Sequence, residues 1–146
     1  MARKRGRDRG RNLSKADYER LAHFRYQLRR FLRFSEGAVR NKGITPLQYL
    51  LMLQIRGYPG REWATVGELA ERLQAKHHGV VSLISRCEAA GLIKRGPGRS
   101  DRRRVEVRLT GAGRRCVEQL ARLHRTELAS LQGEFTVPKL RAFSAD

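Results

Sequence analysis

The chain has 146 residues, which suits one compact domain and leaves little room for two independent cores. Hydrophobic residues make up 40%, enough for an ordinary core, but 32 Lys plus Arg against 14 Asp plus Glu leave a formal net charge of +18. So basic a surface implies a polyanionic partner, nucleic acid ahead of an anionic membrane surface or an acidic protein, and no stretch approaches the ~18 apolar residues of a membrane span.

Residues 1–12 carry Arg3, Lys4, Arg5, Arg7, Arg9 and Arg11 against one acid, Asp8. With no apolar segment behind it, this stretch reads as no secretory signal. It is expected to be a disordered basic arm, either lying along DNA phosphates or serving as a solubilising tail. Ser14 opens a long helical pattern with Leu21, Phe24, Leu28, Phe31 and Leu32 on one face, and Asn41-Lys42-Gly43 ends it. Thr45-Pro46-Leu47-Gln48 is a well-formed helix start: Thr45 caps, Pro46 sits where no amide hydrogen is needed, and Gln48 can bond back. The run Tyr49 to Ile55 is apolar nearly all round and is expected to be buried.

After the Gly57-to-Gly60 loop, Trp63-Ala64 reads as a short strand, and Thr65-Val66-Gly67-Glu68 as a second capping box that starts a helix through Leu73. A tight turn from Gln74 to Lys76 leads into a further helix, His77 to Ala90, closed by Gly91 in the left-handed conformation. Leu92-Ile93 begins a strand whose partner is Val105 to Leu109, with Val105, Val107 and Leu109 alternating with Glu106 and Arg108. Between them, residues 96–104 form a basic hairpin tip. Thr110-Gly111-Ala112-Gly113 starts a last long helix with Val117, Leu120, Ala121, Leu128 and Leu131 on one face, and a short helix is expected near Thr136 to Phe143. The predicted fold is mainly α with a small β-wing: a winged helix-turn-helix between terminal helices.

Two features carry the chemistry. In the helix from His77, the spacing of Val80, Leu83, Ile84 and Cys87 makes them the buried stripe, so the other face presents His77, His78, Val81, Ser82, Ser85 and Arg86. Such a face near a helix start can enter a major groove, with Ser82 and the histidines at base edges, Val81 on a thymine methyl and Arg86 on phosphate or in a salt bridge to Glu88. The other feature is the hairpin tip, where Arg99, Arg102 and Arg103 crowd around Asp101, a charge density suited to the strongly negative minor groove. Thr65 and Lys76, at the two helix starts, are assigned to the DNA backbone. His77 and His78, adjacent and about 100° apart on the helix, make a poor metal pair, and neither a metal nor a cofactor is expected.

These residues resemble the MarR (multiple antibiotic resistance regulator) family over positions 45–113. The resemblance rests on Thr45-Pro46-Leu47-Gln48-Tyr49, on Thr65-Val66-Gly67-Glu68-Leu69-Ala70, and on Arg86-Cys87-Glu88-Ala89-Ala90-Gly91-Leu92-Ile93. Its most distinctive part is Asp101-Arg102-Arg103-Arg104-Val105-Glu106-Val107-Arg108-Leu109-Thr110, followed by Gly113. It implies that Arg103 enters the minor groove while Asp101 helps hold it. It further implies a homodimer with interlocked first and last helices, binding pseudo-palindromic operators on double-stranded DNA, usually as a repressor. A small phenolic or other anionic effector that binds between the two regions would release it. The expected division is 1–12 as the basic arm, 13–44 and 111–146 as dimerisation helices, and 45–110 as the DNA-binding region.

Two cysteines, Cys87 and Cys116, make neither a disulfide framework nor a zinc site, which points to a reduced, cytoplasmic protein. Cys116 lies at a helix start beside Arg114 and Arg115, a setting that lowers a thiol's pKa, so a redox switch stands there beside simple packing. An effector pocket around Tyr26, Tyr49 and His124 is conceivable, although aromatics at helical spacing more often build core. No nucleophile elbow, His-Glu-x-x-His, P-loop or paired inward carboxylates appear, so an enzyme is not expected. The competing reading is a basic architectural or RNA-associated protein that grips backbone with little sequence choice.

Overall fold

The computed structural model describes residues 12–130 and Pro138. Most of the basic arm (residues 1–11), the short helix near 136–143 and Leu131 lie outside the described residues. The order is α1 (Lys15–Asn41), α2 (Pro46–Arg56), β1 (Trp63–Ala64), α3 (Val66–Leu73), α4 (His77–Ala89), β2 (Ile93–Pro97), β3 (Val105–Leu109) and α5 (Gly111–Ser130). The architecture is the expected one, a mainly helical chain with a small β-wing.

Local chemistry sets the boundaries. Ser14, Thr45 and Thr65 each accept the backbone N–H three residues on, and Asp17, Gln48 and Glu68 reach back, giving complete capping boxes for α1, α2 and α3. Gln74 takes the left-handed conformation (φ 50°) that turns the chain from α3 toward α4, and Gly91 (φ 73°) does the same after α4. Thr110 starts α5: its hydroxyl accepts the Gly113 N–H at 3.1 Å and donates to the Gly91 carbonyl at 2.6 Å. A Cβ on Gly113 would stand 2.1 Å from the Leu92 oxygen, so the first turn of α5 lies flush on the start of β2 only because that residue has no side chain.

Leu51, Met52 and Ile55 of α2 form the hub of the main core, with Leu69 of α3, Val80, Ile84 and Cys87 of α4, and Ile93 and Val107 of the sheet. All of these are at most 2% exposed. A second, smaller cluster joins Val39 of α1, Tyr49 of α2 and Leu120 of α5.

Three expectations are corrected. The wing is not a two-stranded ribbon alone: β1 pairs antiparallel with β3, Trp63 opposite Arg108, so the sheet runs β1-β3-β2. Strict alternation fails at the start of β3, where Val105 is 46% exposed and Glu106 only 3%, because the Glu106 carboxylate turns inward to serve the loop. Finally, α2 is not buried all round, for Leu47 and Leu50 face outward. The face of α1 is likewise covered only in part: Leu21, Phe24, Leu28 and Phe31 are half-buried and Leu32 is exposed.

Candidate nucleic-acid interface

In α4 the buried stripe is Val80, Leu83, Ile84 and Cys87, as the spacing requires. His77, His78, Ser82, Ser85 and Arg86 are exposed, and Val81 is half-buried. Ser85 has intramolecular work that sequence did not reveal. Its hydroxyl donates to the Val81 carbonyl at 3.0 Å and accepts from Arg95 Nη2 at 3.3 Å. Arg95 also donates through its backbone N–H and its guanidinium to Glu88, at 3.1 and 3.0 Å. These bonds hold the Glu88 carboxyl below the usual range and pin β2 to α4. Glu88 is thereby Arg95's partner, and Arg86 belongs to none of the ion pairs among the described residues.

The tip between β2 and β3 is built rather than loose. The Gly98 N–H donates to the Arg104 carbonyl at 2.8 Å and the Arg104 N–H to the Asp101 carbonyl at 3.1 Å. A Cβ on Gly98 would lie 2.3 Å from the Asp101 oxygen, so this closure requires glycine. The buried Glu106 carboxylate accepts the Arg99 N–H at 3.3 Å and pairs with Arg108. Asp101 Oδ1 accepts the Arg103 N–H at 3.0 Å and lies 3.6 Å from Arg103 Nε. Arg103 is then presented at the apex with its side chain 95% exposed, beside exposed Arg99 and Arg102.

Thr65 and Lys76 have mixed positions. The Thr65 hydroxyl is engaged by the Glu68 N–H at 3.3 Å, whereas Lys76, the exposed N-cap of α4, makes no side-chain cap bond. Glu68 does more than cap. Its carboxylate pairs with Arg61 and stands 3.6 Å from Arg104 Nη2. Burial pushes this carboxyl up, but Arg61, the Thr65 amide and Arg104 outweigh that and hold it below its ordinary value. The capping pattern disclosed Glu68 but not its reach to the wing.

Elsewhere, Tyr26 is exposed and does not meet Tyr49 and His124. Those two stack at 5.0 Å, with Phe31 and Phe34 edge-on to the imidazole at 5.9 and 6.0 Å. His124 Nδ1 lies 2.6 Å from the Leu120 carbonyl, which can only accept, so Nδ1 donates there, while Nε2 lies 2.6 Å from the Ser35 hydroxyl. The site is core, filled by its own rings. A cleft of about 540 Å³ opens instead between α2 and α5, with Leu53 and Val117 in its wall and Arg56, Arg114, Glu118, Arg122 and Arg125 around it; Glu62 pairs with Arg56 and Arg114, and Glu118 with Arg122. Cys116 also differs from expectation: burial pushes its thiol up, against a smaller opposing effect of Lys42. Among the described residues, no three His, Cys, Asp or Glu gather as metal ligands, and no helix is long and apolar enough to cross a membrane.

A polar helix after a tight turn, with a basic hairpin pinned beside it, defines a winged helix-turn-helix fold. Residues 42–104 match the model of the MarR family. AbsC, a MarR family transcriptional regulator from Streptomyces coelicolor, superposes with a TM-score of 0.70 at 20% identity, covering 88% of this chain and 86% of its own. A cysteine-to-serine variant of MarR from E. coli, complexed with operator DNA, gives 0.62 at 25% identity over 82% of each chain. BpsR of Bordetella bronchiseptica, whose DNA binding is regulated by 6-hydroxynicotinic acid, gives 0.59 at 21% identity over 75% of this chain and 76% of its own. A comparison with curated proteins finds no match. Over residues 42–104 the chain is thus similar to the MarR family, and its fold over most of its length is that of solved MarR-family transcription regulators.

Proposed function

We propose that this regulator is a cytoplasmic homodimeric repressor of pseudo-palindromic operators, released by a small anionic ligand. The observation that carries the reading is Arg103, held by Asp101 at the apex of a closed tip while its guanidinium stays almost wholly exposed. A guanidinium so presented suits a minor groove, while His77, His78, Val81, Ser82 and Arg86 offer hydrogen bonds and an apolar contact to the adjacent major groove. Residues 45–110 act as the reading head, and residues 13–44 and 111–146 as the dimerisation region. Support for the dimer comes from Tyr18, Tyr26 and Leu32 of α1 and Leu123 and Leu128 of α5, all exposed in the single chain. Two-fold symmetry would then set the two heads about one DNA turn, ~34 Å, apart.

The effector reading is supported by the α2–α5 cleft, where an apolar wall lies beside Arg125, which forms none of the ion pairs among the described residues and suits an aromatic carboxylate, and by the response of BpsR to 6-hydroxynicotinic acid. Gel shifts with Arg103→Ala and Ser82→Ala on genomic fragments selected by the purified protein test the docking. Each variant is expected to lose roughly tenfold or more in affinity, one good base-edge or groove contact being worth about 1–3 kcal/mol. Unchanged affinity in both would defeat it. Equal affinity for operator and random duplex at every salt concentration would favour the architectural reading.

A further inference from the structure

We propose that Glu68 is a positioning residue for operator recognition, fixing the wing tip relative to the helix-turn-helix; the inference rests on the operator reading above. Glu68 lies in the first turn of α3, half-buried, and its carboxylate gathers three partners from three parts of the chain, two by hydrogen bond and one as an ion pair at 3.6 Å. They are the Thr65 N–H at the helix start, Arg61 of the loop before β1, and Arg104 at the foot of the tip. Arg61 is itself clamped. Its guanidinium carbon lies 4.3 Å from the Tyr58 ring centre and 3.8 Å from that of Trp63, which pairs with β3 through Arg108. Arg61 therefore orients the carboxylate from the loop and sheet side, and Arg104 is the arm it holds.

Arg104 is well placed to transmit that hold. Its carbonyl and amide close the tip onto Gly98 and Asp101, and it directly follows Arg103. A shift of the Arg104 backbone displaces the Asp101–Arg103 turn with it. The distance between the apex guanidinium and the polar face of α4 thus depends on this carboxylate as well as on the Glu88–Arg95 link that ties β2 to α4.

The charge on Glu68 separates this role from simple electrostatics. A carboxylate on the DNA-binding head repels phosphate, so deleting it should tighten binding to any duplex. Positioning predicts the opposite for an operator. Glu68→Gln retains the capping box, since a glutamine amide oxygen still accepts the Thr65 N–H, but it lacks the charge that holds Arg104.

Anisotropy titrations would compare wild type, Glu68→Gln, Arg103→Ala and the double variant, on a selected operator and on random duplex at fixed salt. The Glu68–Arg104 pair is partly exposed, where ion pairs are individually weak, so Glu68→Gln is expected to weaken operator binding roughly threefold, with random-duplex binding unchanged or tighter and the melting temperature nearly unmoved. In the Arg103→Ala background the operator loss should vanish, because there is no longer a guanidinium to place. Tighter binding to both duplexes, or an equal operator loss with and without Arg103, would overturn the inference. If Arg103→Ala alone left operator affinity intact, the operator reading would fall first. If Arg103→Ala weakened binding and Glu68→Gln did not, only the positioning role would fall.

Discussion

The head and the terminal helices differ in how far each satisfies itself. In the head, α2, α3, α4 and the sheet share one core in which Leu51, Met52, Ile55, Leu69, Val80 and Ile84 are completely buried. In the apolar cluster where α1 meets α2 and α5, Val39 and Leu120 reach that state and Tyr49 comes close, while Tyr18, Tyr26, Leu32, Leu123 and Leu128 face outward. The head buries far more apolar surface within one chain than the terminal helices do, although Leu47, Leu50 and Val105 stay exposed. In the proposed dimer, folding and assembly are therefore written in different residues, and so can be broken separately.

The largest effect should come from the core of the head. Leu51→Ala is expected to cost about 2–5 kcal/mol in denaturant unfolding, because its neighbours on α3, α4 and the sheet leave little freedom to collapse on the cavity. On the outward face of α5, Leu123→Glu combined with Leu128→Glu should leave the far-ultraviolet spectrum of the head intact. It should convert the dimer to monomer in sedimentation and reduce operator affinity about a hundredfold through lost bivalency. A dimer that survives this double change would mean that the exposed leucines are not the seam.

The smallest effect is a pH dependence confined to the head. Burial pushes the Cys87 thiol from 9.0 up to about 11, partly opposed by Arg86. An acid whose folded pKa is raised contributes stability that is complete below the unfolded value and lost as pH climbs through the folded one. Stability should therefore decline between pH 9 and about 11, by about 2 kcal/mol from this group. Cys87→Ala should flatten that part of the profile in thermal melts; an unaltered slope would assign it to other groups.

Much of the architecture was legible in the residues, because its determinants are local. Three capping boxes announce themselves within four residues each, Gly91 closes α4, and the stripe of Val80, Leu83, Ile84 and Cys87 declares which side of α4 is hidden. The Asp101–Arg103 turn is equally local, and the structure shows its hydrogen bonds. What escaped depends on distant partners. Glu106 looked like the outward member of an alternating strand but is buried by the loop it serves, and β1 joined the sheet through a pairing with β3 that two residues could not specify. Ser85 seemed free for base contact until Arg95 supplied a partner ten residues away. Cys116 illustrates competition between effects: cationic sequence neighbours argue for an acidic thiol, yet burial between helices prevails.

The bare α-carbon of Gly113 has a mechanical consequence. With the helix backbone seated against the Leu92 carbonyl and Thr110 tied to Gly91, no slack separates the start of α5 from the strand that leads into the wing. A rotation applied to that end of α5 is therefore expected to carry the start of the wing with it.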